Sequence, residues 1–281
     1  MTRLLVVGIS VLDYVHHLDV LPAGDAKHRS HAFERIGGGC AANAAVGAAR
    51  LGGAVTLVTR LGTDPAGDEL AAMLGGQGLD LRAARGGSQP VSSVMVARTG
   101  ERMIVNFPGA DLPTVPPPLP PVDGVLVDCR WPEAAEAALR HARALGVPSV
   151  LDGERFTPEP LAALADSVVF STQGLADFTG LADPDAALAQ AADRLPGRVA
   201  YTDGPRGVVW HGGPSVPAPA VAAVDTLGAG DLWHGAFALA CARRMSLADA
   251  SAFANEAAAR KCARAGGWAV YPTAADLERV P

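Results

Sequence analysis

Val224-Asp225-Thr226-Leu227-Gly228-Ala229-Gly230-Asp231 runs directly into Leu232 to Ala240, an apolar stretch of helical pattern. Small residues at 228–230 let a ligand come close to the backbone. A helix starting there aims its free N–H groups and the positive end of its dipole at whatever lies in front. An anion suits that place, and Asp231 puts a carboxylate in the first turn. Phosphoryl transfer needs such donors for developing charge, with a base near the attacking hydroxyl. A bare Gly-x-Gly-Asp reads as readily as a helix entry that its Asp merely caps. The full eight-residue string favours the chemical reading.

The rest of the chain supplies the scaffold. Leu4 to Ile9 is a continuous apolar run, as in a buried strand of a parallel sheet. Ala41 to Leu51 reads as a small-residue helix stopped by Gly52-Gly53. Strands follow at 54–60, 125–128, 148–152, 168–170 and 199–202. Helices are expected over 68–74, 133–145, 186–195, 229–243 and 247–265, with a short one over 274–279. Such repeated strand–helix–strand units predict a parallel sheet with helices on both faces. Two stretches break the pattern. Val11 to Ile36 alternates polar and apolar residues around Pro22-Ala23-Gly24. Val91 to Phe107 has the form of a hairpin turning at Thr99-Gly100-Glu101. Both are expected as antiparallel strands outside the main sheet, forming a small β-lid over residues 12–36 and 87–110. The core then comprises 1–11, 37–86 and 111–281, re-entered through the stiff proline run Pro113 to Pro121.

Gly37-Gly38-Gly39-Cys40-Ala41-Ala42-Asn43 is the second informative string. Its glycines leave room for a ligand, and the Asn43 amide both donates and accepts, as sugar hydroxyls require. A rival exists: Gly37-x-Gly39-x-x-Ala42 matches a loose dinucleotide fingerprint, with Arg60 placed for an NADP phosphate. Against it, the glycines do not follow the first strand. No Gly-Lys-Ser/Thr occurs, which excludes a P-loop kinase.

Bulk properties narrow the classes further. The 281 residues suffice for one large α/β domain. A net charge of −6 with no basic cluster gives no reason to expect nucleic acid. Cys40, Cys129, Cys241 and Cys262 lack metal-ligand spacing and read as reduced thiols of a cytoplasmic protein. The first apolar run is too short for a signal peptide, and no stretch reaches membrane-spanning length.

Gly37 to Gly52 and Asp225 to Phe237 resemble the two signature regions of the PfkB (ribokinase-like) carbohydrate kinases. That resemblance implies a three-layer α/β sandwich with a mostly parallel sheet and a β-lid over the sugar. It implies ATP and Mg²⁺ as cofactors and a dimer sharing lid strands. By resemblance Asp231 is the base, and Gly228, Ala229 and Gly230 form the anion hole. Asp13, Gly38, Gly39 and Asn43 bind sugar hydroxyls. Thr202, Gly204 and Gly207 belong to the loop that reaches the nucleotide, with Thr226 beside it. Asn255 lies on the helix that lines the adenine pocket, although it also fits as a plain polar helix residue. Many members organise Mg²⁺ with an Asn-x-x-Glu motif; Ser171-Thr172-Gln173-Gly174 departs from it, as ketohexokinases do, and leaves the metal ligands unassigned.

Three residues bear on the substrate. Lys27, Asn106 and Arg130 resemble positions of the sulfofructose kinase branch, where a Lys, an Asn and an Arg hold the sulfonate of 6-deoxy-6-sulfofructose. Each alone also fits as a solvated surface residue. Together they imply an anionic C6 group on a ketohexose phosphorylated at its C1 hydroxyl. Fructose 6-phosphate, tagatose 6-phosphate and neutral fructose stay open. So do two readings from other classes, an NADP-dependent dehydrogenase and a non-catalytic sugar or nucleotide sensor.

Overall fold

The computed structural model describes residues 1–277. Glu278 and Arg279 of the expected C-terminal helix lie outside them. The elements are β1 (Arg3–Gly8), β2 (Val11–Leu18), β3 (Ala32–Gly38), α1 (Cys40–Arg50), β4 (Ala54–Leu61), α2 (Pro65–Gly75), β5 (Asp80–Arg85), β6 (Val91–Ala97), β7 (Arg102–Phe107), β8 (Gly124–Val127), α3 (Pro132–Leu145), β9 (Ser149–Gly153), α4 (Glu159–Ala162), β10 (Ser167–Ser171), α5 (Thr172–Thr179), α6 (Pro184–Arg194), β11 (Arg198–Thr202), β12 (Val208–Trp210), β13 (Ser215–Val216), α7 (Ala229–Ala242), α8 (Leu247–Cys262) and α9 (Ala274–Leu277).

The main sheet has the order β13-β12-β11-β10-β9-β8-β1-β4-β5, parallel except for the β12 and β13 edge. Its central strands are apolar because both faces are covered. Leu4, Val6 and Leu57 point to one core with α1, α2, α7 and α8. Leu5, Val7 and Val58 point to the other, with the α3–α6 side. Helix ends follow local chemistry. Asp64 caps α2 and Asp183 caps α6, each followed by a proline, and Gly146 closes α3 in the left-handed region at φ 65°.

The lid is a second sheet, β3-β2-β6-β7. Its hairpins pair antiparallel as expected, but β2 and β6 run parallel, Leu12 opposite Val91 through Leu18 opposite Ala97. The reason is topological: β2 leaves from β1 and β6 follows β5, and those core strands point the same way. Strand β3 continues through Gly38, so Gly37 and Gly38 stand in the lid sheet rather than the core.

Candidate active site

The strand order reverses between β1 and β8: the chain builds outward through β4 and β5, then returns to β8 and builds the other way. Ligands of open α/β sheets bind at the carboxyl ends of strands around such a point. Asp128, just past β8, pins the two sides together. Its carboxylate accepts from the backbone N–H of Ile9 (2.8 Å), Ala41 (3.2 Å) and Arg130 (2.8 Å). Burial still pushes its pKa up to about 6, against those hydrogen bonds.

Helix α7 starts at Ala229, and no side chain caps it. Gly228 stands before it at φ 71°, and a Cβ there would lie 2.5 Å from the Tyr271 hydroxyl. Glycine is therefore required at this turn. A Cβ on Gly230 would meet nothing within 4 Å, so the first turn is open in front. Asp231 does not cap the helix. Its Oδ2 accepts from Asn43 Nδ2 at 2.7 Å, across from α1. Asn43 Oδ1 in turn accepts from the Trp268 indole N–H at 2.7 Å, which fixes the amide orientation. Burial raises the Asp231 pKa, and the Asn43 hydrogen bond opposes that rise. His234, one turn on, ties α7 to β10: its ring nitrogens lie 2.9 Å from Gly230 O and 3.0 Å from Val169 O.

Beside Asp231, ligand atoms of Cys40, Asp152, Glu154 and Asp231 all lie within 4.8 Å of one another. Burial, then the Glu154 and Asp231 charges, push Asp152 well above the carboxylate range. A cation there would reverse that effect. Burial and the Asp231 charge push the Cys40 thiol far up, and a hard cation such as Mg²⁺ takes oxygen in preference to sulfur. The remaining carboxylates suit Mg²⁺, which binds through one or two of them and keeps other positions for water and phosphate oxygens. The sequence reading left these ligands unassigned. The Asp152-Gly153-Glu154 string at the end of β9 carried the signal, and only the fold brings it to Asp231.

A cavity of about 440 Å³ lies between lid and core. Asp13, Gly37, Gly38 and Asn43 line it from one side, Asp225, Leu227, Gly228 and Trp268 from the other. Burial pushes the Asp13 pKa up to about 6; a Ser92 hydrogen bond opposes the shift and the Asp231 charge adds to it. The expected glycine-rich ligand cradle needs correction in part. A Cβ on Gly37 would strike the Trp268 ring, one on Gly38 the Asp13 carboxylate, and one on Gly39, at φ 95°, the Ile9 carbonyl. These glycines first make room for the protein's own groups. The dinucleotide reading also falls, because Gly37 and Gly38 end an antiparallel lid strand instead of opening a βαβ turn.

Lys27, Asn106 and Arg130 do not line this cavity. Lys27 is exposed in the loop between β2 and β3. Asn106 Nδ2 contacts Ser92 Oγ (3.2 Å) and Val91 O (3.3 Å), and Ser92 is the neighbour of Asp13 across the lid. Arg130 Nη2 meets Glu154 Oε2 at 3.1 Å, on the rim of the acidic cluster. The basic side chains that do face the cavity are Arg98 and Arg102 of the lid hairpin, with His17 from β2. Sequence reasoning missed these, since nothing in a hairpin pattern says which face closes over a ligand.

In the loop expected to reach a nucleotide, Thr202 ends β11 and Gly204 begins a short 3-10 turn. Gly207 has its own structural duty: at φ 87° its Cβ would strike Val216 O. Thr226 Oγ1 accepts from Arg102 at 3.3 Å. Asn255 is a correction. Its Oδ1 accepts from Trp233 Nε1 (2.7 Å) and its Nδ2 donates to Val216 O (2.9 Å) and Pro217 O (3.1 Å), so the buried amide anchors the segment after β13.

Known proteins share this fold. Residues 1–274 match the description "pfkB family carbohydrate kinase". A ribokinase of Bacillus subtilis is 27% identical over all of this chain and 99% of its own length. A fructokinase of Klebsiella pneumoniae is 32% identical, covering 76% of this chain and 78% of its own. A solved Agrobacterium tumefaciens protein, described as a candidate ribokinase, superposes with a TM-score of 0.91 at 34% identity, over 99% of this chain and 96% of that one. Arabidopsis thaliana ribokinase, solved with ribose and ATP, gives 0.85 at 25%, over 99% and 98%. With its family match over nearly the whole length, a ribokinase-like sandwich and a lidded cleft at the strand switch point, the chain belongs to the pfkB family of carbohydrate kinases.

Proposed function

We propose that the chain transfers the γ-phosphoryl group of ATP to a hydroxyl of a small sugar held between lid and core, with Asp231 as the base. The observation that carries this is the Trp268–Asn43–Asp231 chain in front of the uncapped α7 N-terminus. Asn43 fixes one carboxylate oxygen of Asp231, which orients the carboxylate to accept the hydroxyl proton. The backbone at 228–230 receives the transferred phosphoryl oxygens. Asp13 accepts from sugar hydroxyls opposite Gly38. Mg²⁺, held by Asp152 and Glu154, would neutralise charge on the phosphates. Thr202 and Gly204 border the nucleotide.

For the sugar itself we favour a ketohexose phosphorylated at C1 and carrying an anion at C6, 6-deoxy-6-sulfofructose first. Asn106 is joined to Asp13 through Ser92, and Arg130 stands at the rim of the acidic cluster, where an anionic end would replace Glu154 as its partner. A neutral sugar is the second reading, favoured by the absence of Lys27, Asn106 and Arg130 from the cavity lining and by the ribokinase and fructokinase relatives. ATP turnover on sulfofructose, fructose 6-phosphate, tagatose 6-phosphate, fructose and ribose separates them. The anionic reading requires kcat/KM on an anionic ketohexose to exceed that on fructose and ribose, and an Arg130→Ala variant to lose that excess. Equal loss on all sugars refutes it.

We also propose a homodimer through the lid. Phe33, Ile104, Val105 and Phe107 are 45–61% exposed, large apolar groups on one small sheet. Strand β6 lies inside the lid sheet, with Val94 buried.

A further inference from the structure

Lys261 is 0% exposed. A buried ammonium is costly unless it is paired, so its partners indicate what it does. Its Nζ donates to two atoms of one residue, Asp225 O (2.9 Å) and Asp225 Oδ2 (2.8 Å). Burial lowers the Lys261 pKa, and the Asp225 contacts oppose that. Asp225 is no ordinary surface acid. Its Oδ1 accepts the Leu227 N–H (2.9 Å), which folds the chain into the turn before α7, and Arg102 of the lid reaches the same oxygen at 3.0 Å. The same segment is tied to the end of α8 through its backbone: the N–H groups of Val224 (2.7 Å) and Asp225 (3.1 Å) both donate to Cys262 O. Four fixings therefore meet at 224–227, from Lys261, the Leu227 N–H, Arg102 and the Cys262 carbonyl, immediately ahead of the turn that receives the phosphoryl group. Two cations flank one carboxylate, so a positive surplus stands behind the turn.

We propose that Lys261 is a positioning residue of the phosphoryl-transfer site, holding residues 224–228 in register through Asp225 so that the α7 N-terminus meets the transferred group. This rests on the kinase reading above. Lys261 is buried and does not line the cavity, so its loss acts on turnover through backbone placement. A misplacement of about 1 Å at such a site lowers turnover about 100-fold.

The test uses the full chain with Lys261→Met, which keeps length and apolar stem, and Lys261→Ala, which opens room for a small amine. The expected results are a kcat at least tenfold lower in Lys261→Met with the KM for ATP kept within about threefold, and partial recovery of Lys261→Ala turnover by methylammonium or ammonium ions. Wild-type-like kcat in a folded Lys261→Met overturns the proposal, as does failure of both cations to raise Lys261→Ala turnover. If neither variant folds, Asp225→Asn decides, because its amide sets an NH2 donor where one carboxylate oxygen accepted and so removes either the Lys261 side-chain bond or the Leu227 and Arg102 bonds, while the Lys261 bond to Asp225 O stays. Tenfold lower kcat at an unchanged Tm supports the positioning role; unchanged kcat removes it. Failure of the kinase reading is distinct: wild type itself would then turn over no sugar of the panel.

Discussion

Changing Trp268 to Phe removes one N–H from the interior, together with outer ring atoms that cover Gly37. The consequence follows from the two 2.7 Å bonds that run Trp268 to Asn43 to Asp231. Without the indole donor, the buried Asn43 Oδ1 is left unpaired, at about 1–3 kcal/mol. The amide can escape only by flipping, which turns its oxygen toward the Asp231 carboxylate and forfeits a charge-assisted bond of about 1.5–3 kcal/mol. The two orientations thus become closely matched, where the wild type strongly prefers one. Loss of about 1.4 kcal/mol of preference corresponds to tenfold, so kcat/KM should fall roughly 3–10-fold. The pH profile gives the sharper readout. The base works as a carboxylate, so activity is present above its pKa and lost as pH falls. Burial already raises that pKa and Asn43 opposes the rise, so weakening the Asn43 bond moves the acid limb to higher pH. The assay is coupled ATP turnover from pH 5 to 9 for Trp268→Phe, Asn43→Ala and the double variant. The double variant should be no worse than Asn43→Ala, since both changes act through one amide. A lower Tm with unchanged kcat/KM and an unmoved acid limb would mean that Trp268 only packs, and would refute the reasoning.

Three further outcomes are expected. Asp13, at about 6 against 3.8 unfolded, resists ionisation in the folded state; a raised carboxylate pKa favours the fold below the unfolded value and loses that favour as pH rises through the folded one. Asp13→Asn should therefore raise ligand-free stability at pH 7.5 by up to about 3 kcal/mol and change it little at pH 4, measured by urea unfolding, while turnover collapses. Arg102→Ala removes the Asp225 ion pair between lid and core; sugar KM should rise about fivefold, as for loss of about 1 kcal/mol, with the ATP KM kept. Val105→Glu on the exposed lid strand should turn a dimer into a monomer in sedimentation without unfolding it.

The apolar strands and the Gly228-to-Asp231 turn were legible because each is local: a buried run has its own composition, and a glycine turn opening a helix its own spacing. Strand β5 was not, because an edge strand carrying Arg82 and Arg85 lacks the apolar run that marks its neighbours. Asp13, Asn43 and Asp231 were named from their strings, yet their mutual placement depends on α1 packing beside α7, which no string contains. Trp268 and Lys261 lie more than 200 and about 36 residues from the groups they hold, at Asn43 and Asp225. Nothing local distinguishes them from other core and helix residues. Asn255 shows the opposite error: a polar residue on the expected helix was read toward a ligand, and the fold gives all its hydrogen bonds to Trp233 and the 216–217 backbone.

The central claim is that Asp231 removes the proton from the attacking hydroxyl. Asp231→Asn keeps the size of the side chain and its contact with Asn43, and abolishes its basicity. Turnover with saturating ATP and the best sugar of the panel should fall about 10²–10⁴-fold while sugar and nucleotide still bind by calorimetry. Turnover within a few-fold of wild type would contradict the account.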